Sequence, residues 1–156
     1  MAQLIAPKRV VWVTGDIYVM AKGPADPFYA YKKGGGQDAY NRASLGRMLL
    51  GWELQKRSEG KIEVVMVQPG VIASNLVGAG PMAKWVMGSI FINVTLGAQA
   101  SIHSATVPSN ELPGDASTLR YFSNKQKWVT LKSTDMAMDA DKAKALFDQC
   151  NELCGL

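Results

Sequence analysis

The sequence predicts an α/β fold, with a short, mostly parallel sheet and flanking helices in three layers, forming one domain over residues 1–156. Three observations carry that expectation. Two strand-like runs, Arg9–Thr14 (RVVWVT) and Lys61–Val67 (KIEVVMV), enclose one long helical stretch, Asp38–Arg57, in the order of a parallel crossover. Further strand signals at Arg120–Phe122 and Trp128–Leu131, then a closing helix at Asp135–Leu153, continue the alternation. With 156 residues, 47% hydrophobic and 19% charged, the chain can bury a real core.

Residues 1–8 hold no long apolar core behind a basic segment, so no secretory signal is expected there. The run 9–14 is nearly all apolar, the pattern of a strand buried on both faces. Residues 16–37 are rich in Gly, Pro, Tyr and Lys and predict a long loop. In it Tyr18, Phe28, Tyr29 and Tyr31 either anchor the loop to its own domain or line a pocket, and Gly34–Gly36 is a flexible lead into the helix.

In Asp38–Arg57, Tyr40, Ala43, Met48, Leu49, Leu50, Trp52 and Leu54 recur at helical spacing and predict the buried face. Arg42, Arg47, Lys56 and Arg57 are expected to stay wet, Asp38 to cap the helix, and Lys56 and Arg57 to complement its negative end. After the second strand, Pro69-Gly70 predicts a turn. Trp85–Asn110 carries no charge, but its apolar part ends too soon for the roughly 20 residues of a membrane span. It predicts a buried helix pair, or an apolar face at 85–98 docked on a partner or making peripheral membrane contact. His103 falls here, with no acid or nucleophile near it in sequence, and is expected in the core or at an interface.

In the closing helix Ala143, Leu146, Phe147, Cys150 and Leu153 form the apolar stripe. Cys150 and Cys154 lie one turn apart, which strains a disulfide, and two thiols without clustered His make no zinc site. Reduced thiols and no bound metal are expected, favouring a reducing compartment, intracellular or organellar. The net charge of +4 is dispersed rather than gathered with aromatics, which argues against nucleic acid as a partner.

The collinear series RVVWVTG, AYNRASLGRMLLGWEL, VVMVQPGVIASNL, LGAQASIHSAT and DADKAKALFDQCNELCGL resembles the C-terminal half of a classical short-chain dehydrogenase/reductase, closest to its retinol-dehydrogenase-like branch. The resemblance covers nearly the whole chain and implies a truncated Rossmann-like fold. It also implies a strand 9–14 in mid-sheet; with the preceding half absent, that strand needs a protein partner, a second copy or an unusual local rearrangement to cover its open edge.

The family pairs a Tyr with a Lys four residues on, plus a Ser at the preceding strand end. The i, i+4 spacing puts the ammonium on the phenol's helix face, where its charge favours phenolate and its donors hold the cofactor ribose. Tyr40 matches the family tyrosine, the candidate acid or base. Ser44 stands where the Lys is expected and Gly15 where the Ser is expected. A hydroxyl at 44 has no charge to lend; Arg42 and Arg47 are expected to leave the helix at other angles, although Arg47, Lys32 or Lys33 could reach in. Thr14, beside Gly15, is expected on the opposite face. Pro69, Gly70, Val71 and Ser74 match the turn that contacts the nicotinamide cofactor, while the glycine-rich pyrophosphate turn has no counterpart.

Two functional classes follow. The first is a non-catalytic family member serving as a structural or assembly subunit of a larger complex, with no cofactor. The alternative is one piece of a split NAD(P)-dependent oxidoreductase acting on a carbonyl or alcohol, with Tyr40 as acid or base and NAD(P) bound only if a partner chain supplies the missing half.

Overall fold

The computed structural model describes residues 8–21, 36–72, 92–115 and 117–156. Its centre is a four-stranded sheet of β1 (Arg9–Val13), β2 (Glu63–Gln68), β3 (Arg120–Ser123) and β4 (Lys127–Val129), in that spatial order. The first three strands are parallel, and β4 folds back antiparallel on β3. The helices are α1 (Gly36–Arg57), α2 (Val94–Thr106) and α3 (Ala140–Cys154). The fold is α/β and Rossmann-like, as the element order implies.

The sheet alternates its side chains between two cores, as strand geometry requires. Val64, Met66 and Tyr121, with Val10 and Trp12 at their margin, pack under Leu45, Met48, Leu49 and Trp52 of α1 and Ala143 and Leu146 of α3. Val65, Val67 and Phe122, with Val11 and Trp128, face Ala100 of α2 and then Val107 and Leu112. β1→β2 and β2→β3 step the same way across the sheet, yet α1 and α2 lie on opposite faces. The two crossovers therefore have opposite hands, although parallel connections are overwhelmingly right-handed.

α1 lies close on β2 because Gly51 removes a side chain from the contact. A Cβ there would run into Met66 and come within 3.2 Å of Val64 Cγ1 and 3.3 Å of Trp12 Cε3. The helix is tied to α3 at its far end, where Arg57 donates to Glu53 Oε1 at 2.8 Å and Asp148 Oδ1 at 2.7 Å and lies over the Phe147 ring.

Below the sheet's amino end, buried Gln55 accepts from the Val64 amide at 2.9 Å and from Arg120 Nη1 at 2.9 Å, and donates to Thr118 O at 2.8 Å. Arg9 pairs with Glu63 at 2.7 Å and donates to Ser104 O and Val107 O at the carboxyl end of α2, where a cation complements exposed carbonyls. Asn93 caps α2 through the Leu96 amide, and Asp139 caps α3 through that of Lys142.

Several expectations are corrected. Tyr40 and Ala43 are exposed, while Leu45, absent from the expected stripe, is wholly buried. Arg42, expected wet, is buried and lies 3.7 Å from Asp38, which sits inside the first turn of α1 instead of capping it. The apolar run at 9–14 forms β1, which is half-buried and outermost among the described residues, with Val13 47% exposed, and is not a strand covered on both faces. The closing helix begins at Ala140, because Asp135 caps a separate 3-10 turn, Met136–Met138; Leu153 on its stripe is exposed.

Of the apolar stretch 85–98, residues 85–91 lie outside the described residues, and Val94 and Leu96 are exposed. No described helix is long and apolar enough to cross a membrane.

The close approach at Gly51 is testable. Gly51→Val overpacks the α1–β2 contact and should cost about 2 kcal/mol or more, lowering the thermal midpoint by about 4 °C or more; an unchanged midpoint would contradict this packing.

Candidate functional site

In parallel α/β sheets chemistry gathers beyond the carboxyl ends of the strands. Here those ends are Thr14–Asp16, Gln68–Gly70 and Ser123-Asn124, with the amino end of α1 beside the first.

Tyr40 is 47% exposed, and its hydroxyl has no hydrogen-bond partner among the described residues. Ser44, one turn on, is wholly buried; its Oγ donates to Tyr40 O at 3.1 Å, and its own carbonyl accepts from Thr14 Oγ1 at 3.1 Å. Both hydroxyls that could have served the site are thus spent on α1 backbone. Gly15 has an ordinary extended φ of −152°, and a Cβ there would meet only Ile17 Cγ2 at 3.7 Å. Its lack of a hydroxyl is therefore a matter of residue type, not of space.

Arg47 requires a correction. Seven residues are nearly two full turns, so it shares the Tyr40 stripe instead of leaving at another angle, but it stands about 10 Å further along the helix. Its guanidinium turns to Val13 O, 3.5 Å away. Lys32 and Lys33 lie outside the described residues, as do Phe28, Tyr29, Tyr31 and Ser74.

The turn after β2 is present. Gly70 has φ +97°, which favours glycine, and a Cβ there would come within 2.7 Å of Ile92 Cδ1. Pro69 O accepts from Asn124 Nδ2 at 3.2 Å, and Val71, 62% exposed, accepts from the Ile92 amide at 3.1 Å. Asn124 also donates to Leu96 O at 3.1 Å, so the turn is tied to β3 and to α2.

A second constellation escaped the sequence reading. After β1 the chain makes a 3-10 turn, Asp16–Met20, which brings Asp16 Oδ1 to accept from the Tyr121 hydroxyl and Tyr18 to donate to Asp135 Oδ2 at 3.0 Å. The two buried rings meet edge to face, centroids 6.4 Å apart. Burial raises both phenols' pKa values, and the hydrogen bonds to Asp135 and Asp16 and the carboxylate charges raise them further. These tyrosines are locked donors, unsuited to proton exchange. Tyr18 anchors its loop, one of the two roles open to it. A signal existed in the Asp135 cap of Met136–Met138, but the partners lie more than 100 residues apart.

His103 is exposed and packs its ring on Phe122, centroids 4.7 Å apart, so it sits at the rim of the second core rather than within it. Cys150 and Cys154 are free thiols, half-buried and exposed. Among the described residues no group of three or more His, Cys, Asp or Glu is placed to hold a metal.

No family model matches the chain, and no curated protein does. Among solved structures it is similar to the crystal structure of an uncharacterized protein from Mycobacterium paratuberculosis, with a TM-score of 0.64 and 18% identity over 94% of this chain and 50% of that one. The likeness is one of fold, and this chain spans about half the length of that neighbour.

The tyrosine–aspartate cluster sets an alkaline limit. The unfolded chain ionises these phenols near pH 10, whereas the folded chain holds them protonated to higher pH. Their contribution to stability is thus fully present below about pH 10 and is lost as pH rises through the folded values. Tyrosinate absorbance should show Tyr18 and Tyr121 titrating only as the chain unfolds. Tyr121→Phe should remove about 1–2 kcal/mol at neutral pH by leaving Asp16 without its donor, and it should soften the alkaline decline; titration of both phenols in the folded chain near pH 10 would refute the assignment.

Proposed function

We propose that this chain is a short-chain dehydrogenase/reductase-like protein that performs no redox chemistry of its own and serves as a structural or assembly subunit, with a protein partner on the outer edge of β1. One observation carries the reading. The position one turn beyond Tyr40 is a wholly buried, neutral Ser44 whose hydroxyl is spent on the carbonyl of Tyr40 itself. A phenol acting as proton donor needs a cation there to lower its pKa and grip the ribose. The neighbouring strand end adds Gly15 and a Thr14 hydroxyl already bonded to α1. The turn at Pro69-Gly70 and the order of the elements fit descent from the family, while the acid–base apparatus does not fit its reaction.

The protein isolated gently from its native source should run as a stable assembly lacking any chain with a glycine-rich dinucleotide turn, and without bound NAD(P). Tyr40→Phe should leave any activity of that assembly unchanged. Ser44→Lys should raise no turnover, and by burying an ammonium it should cost about 3 kcal/mol or more of stability. Recovery with a glycine-turn chain and bound NAD(P), together with turnover that falls on Tyr40→Phe, would overturn the reading in favour of a split oxidoreductase.

A further inference from the structure

Among the described residues the sheet ends at β1. In its parallel ladder with β2 the even-numbered residues of β1 face inward: the Glu63 amide donates to Lys8 O and the Thr14 amide to Val67 O, both at 2.8 Å. The N–H and C=O groups of Arg9, Val11 and Val13 therefore point away from the sheet. Among the described residues no strand takes them up, and the partner found for Val13 O is Arg47 Nη1 at a long 3.5 Å. α1 meets this edge through Arg47, and Ala43 and Tyr40 lie on the same helix stripe toward its amino end, at i, i+3 and i+7 from Tyr40 to Arg47. Val13 is 47% exposed beside this unpaired backbone, and Tyr40, also 47% exposed, carries the exposed stripe on toward the amino end of α1.

The charges select the occupant. Lys8 is exposed at one end of the edge and Arg47 lies at the other; neither has an acidic partner among the described residues. A second copy fits poorly. Two-fold pairing of β1 with itself is antiparallel, and centred on Val11 it would bring Arg47 of each chain toward Lys8 of the other, twice juxtaposing like charges.

We infer that the β1 edge and the Tyr40–Arg47 stripe form a docking surface for an extended strand of a different polypeptide, one that carries a carboxylate facing Arg47. Backbone pairing supplies the affinity, and the side chains meeting Tyr40 and Arg47 supply the selection. Tyr40 is then a recognition aromatic, not an acid. The inference rests on the assembly-subunit reading and names the chemistry of its partner.

Amide hydrogen exchange on the natively isolated assembly and on the full chain alone tests it. The amides of Val11 and Val13 should exchange at least about tenfold more slowly in the assembly, while that of Trp12, bonded within the sheet, is protected in both. Val13→Pro removes a donor that β2 does not use and should abolish assembly with the fold retained by circular dichroism. Arg47→Glu should do the same by charge, and Lys144→Glu on exposed α3 should not.

An assembly in which Val11 and Val13 exchange as fast as in the isolated chain, or which survives Arg47→Glu, overturns the docking surface while leaving the subunit reading intact. Protection in an assembly made only of this chain overturns the choice of a different polypeptide. A chain that travels alone overturns the subunit reading and the docking surface with it.

Discussion

The closeness of α1 to β2 is the constraint on which the remaining packing depends. It exists because Gly51 faces Met66, Val64 and Trp12 and presents no side chain to them. Helix and strand approach at that point, and Leu45, Met48, Leu49 and Trp52 then close over the inner strands as buried core. With α1 seated so, its carboxyl end is placed for Arg57 to donate to α3 and for Gln55 to accept from Arg120 and from the Val64 amide of β2. Its amino end is placed over the end of β1, where Thr14 finds Ser44.

Polar staples close the structure at both ends of the sheet, and each answers a need that apolar packing cannot meet. At the amino end, Gln55 and Arg120 satisfy backbone groups of the segment 113–118, and Arg9 takes up carbonyls at the end of α2. At the carboxyl end, Asp16, Tyr18, Tyr121 and Asp135 link the turn after β1, the third strand and the approach to α3. Each phenol offers one donor to one carboxylate, and burial keeps that donor protonated. The place where a sheet of this kind ordinarily does chemistry is thus occupied in part by a structural clasp.

Much of the local structure was legible because it follows from short-range patterns of apolar residues. The long helix, the strands at 9–13 and 63–68, the hairpin strands and the closing helix all stand within a few residues of where apolar runs and helical spacing put them. The errors came where tertiary context overrides pattern. Tyr40 and Ala43 belong to the apolar spacing of α1, yet they face solvent, and Leu45 fills the core in their place. Arg42 is charged and still buried, which spacing alone does not foretell. The candidate site was legible in its missing groups, since Ser44 and Gly15 are read directly from register with Tyr40. What Ser44 and Thr14 do with their hydroxyls was not.

By itself the sequence determined the order of the elements, their approximate bounds, and the absence of a cation one turn beyond Tyr40, because each depends on residues a few positions apart. Only the tertiary structure decided that α1 and α2 cover opposite faces, that Asp16 and Asp135 meet Tyr121 and Tyr18, and that Arg47 reaches the outer carbonyl of β1. Those pairings join residues distant in the chain, and they arise when burying both faces of the sheet brings the groups together. A periodic pattern says which side of an element is apolar; it does not say which neighbour that side will meet.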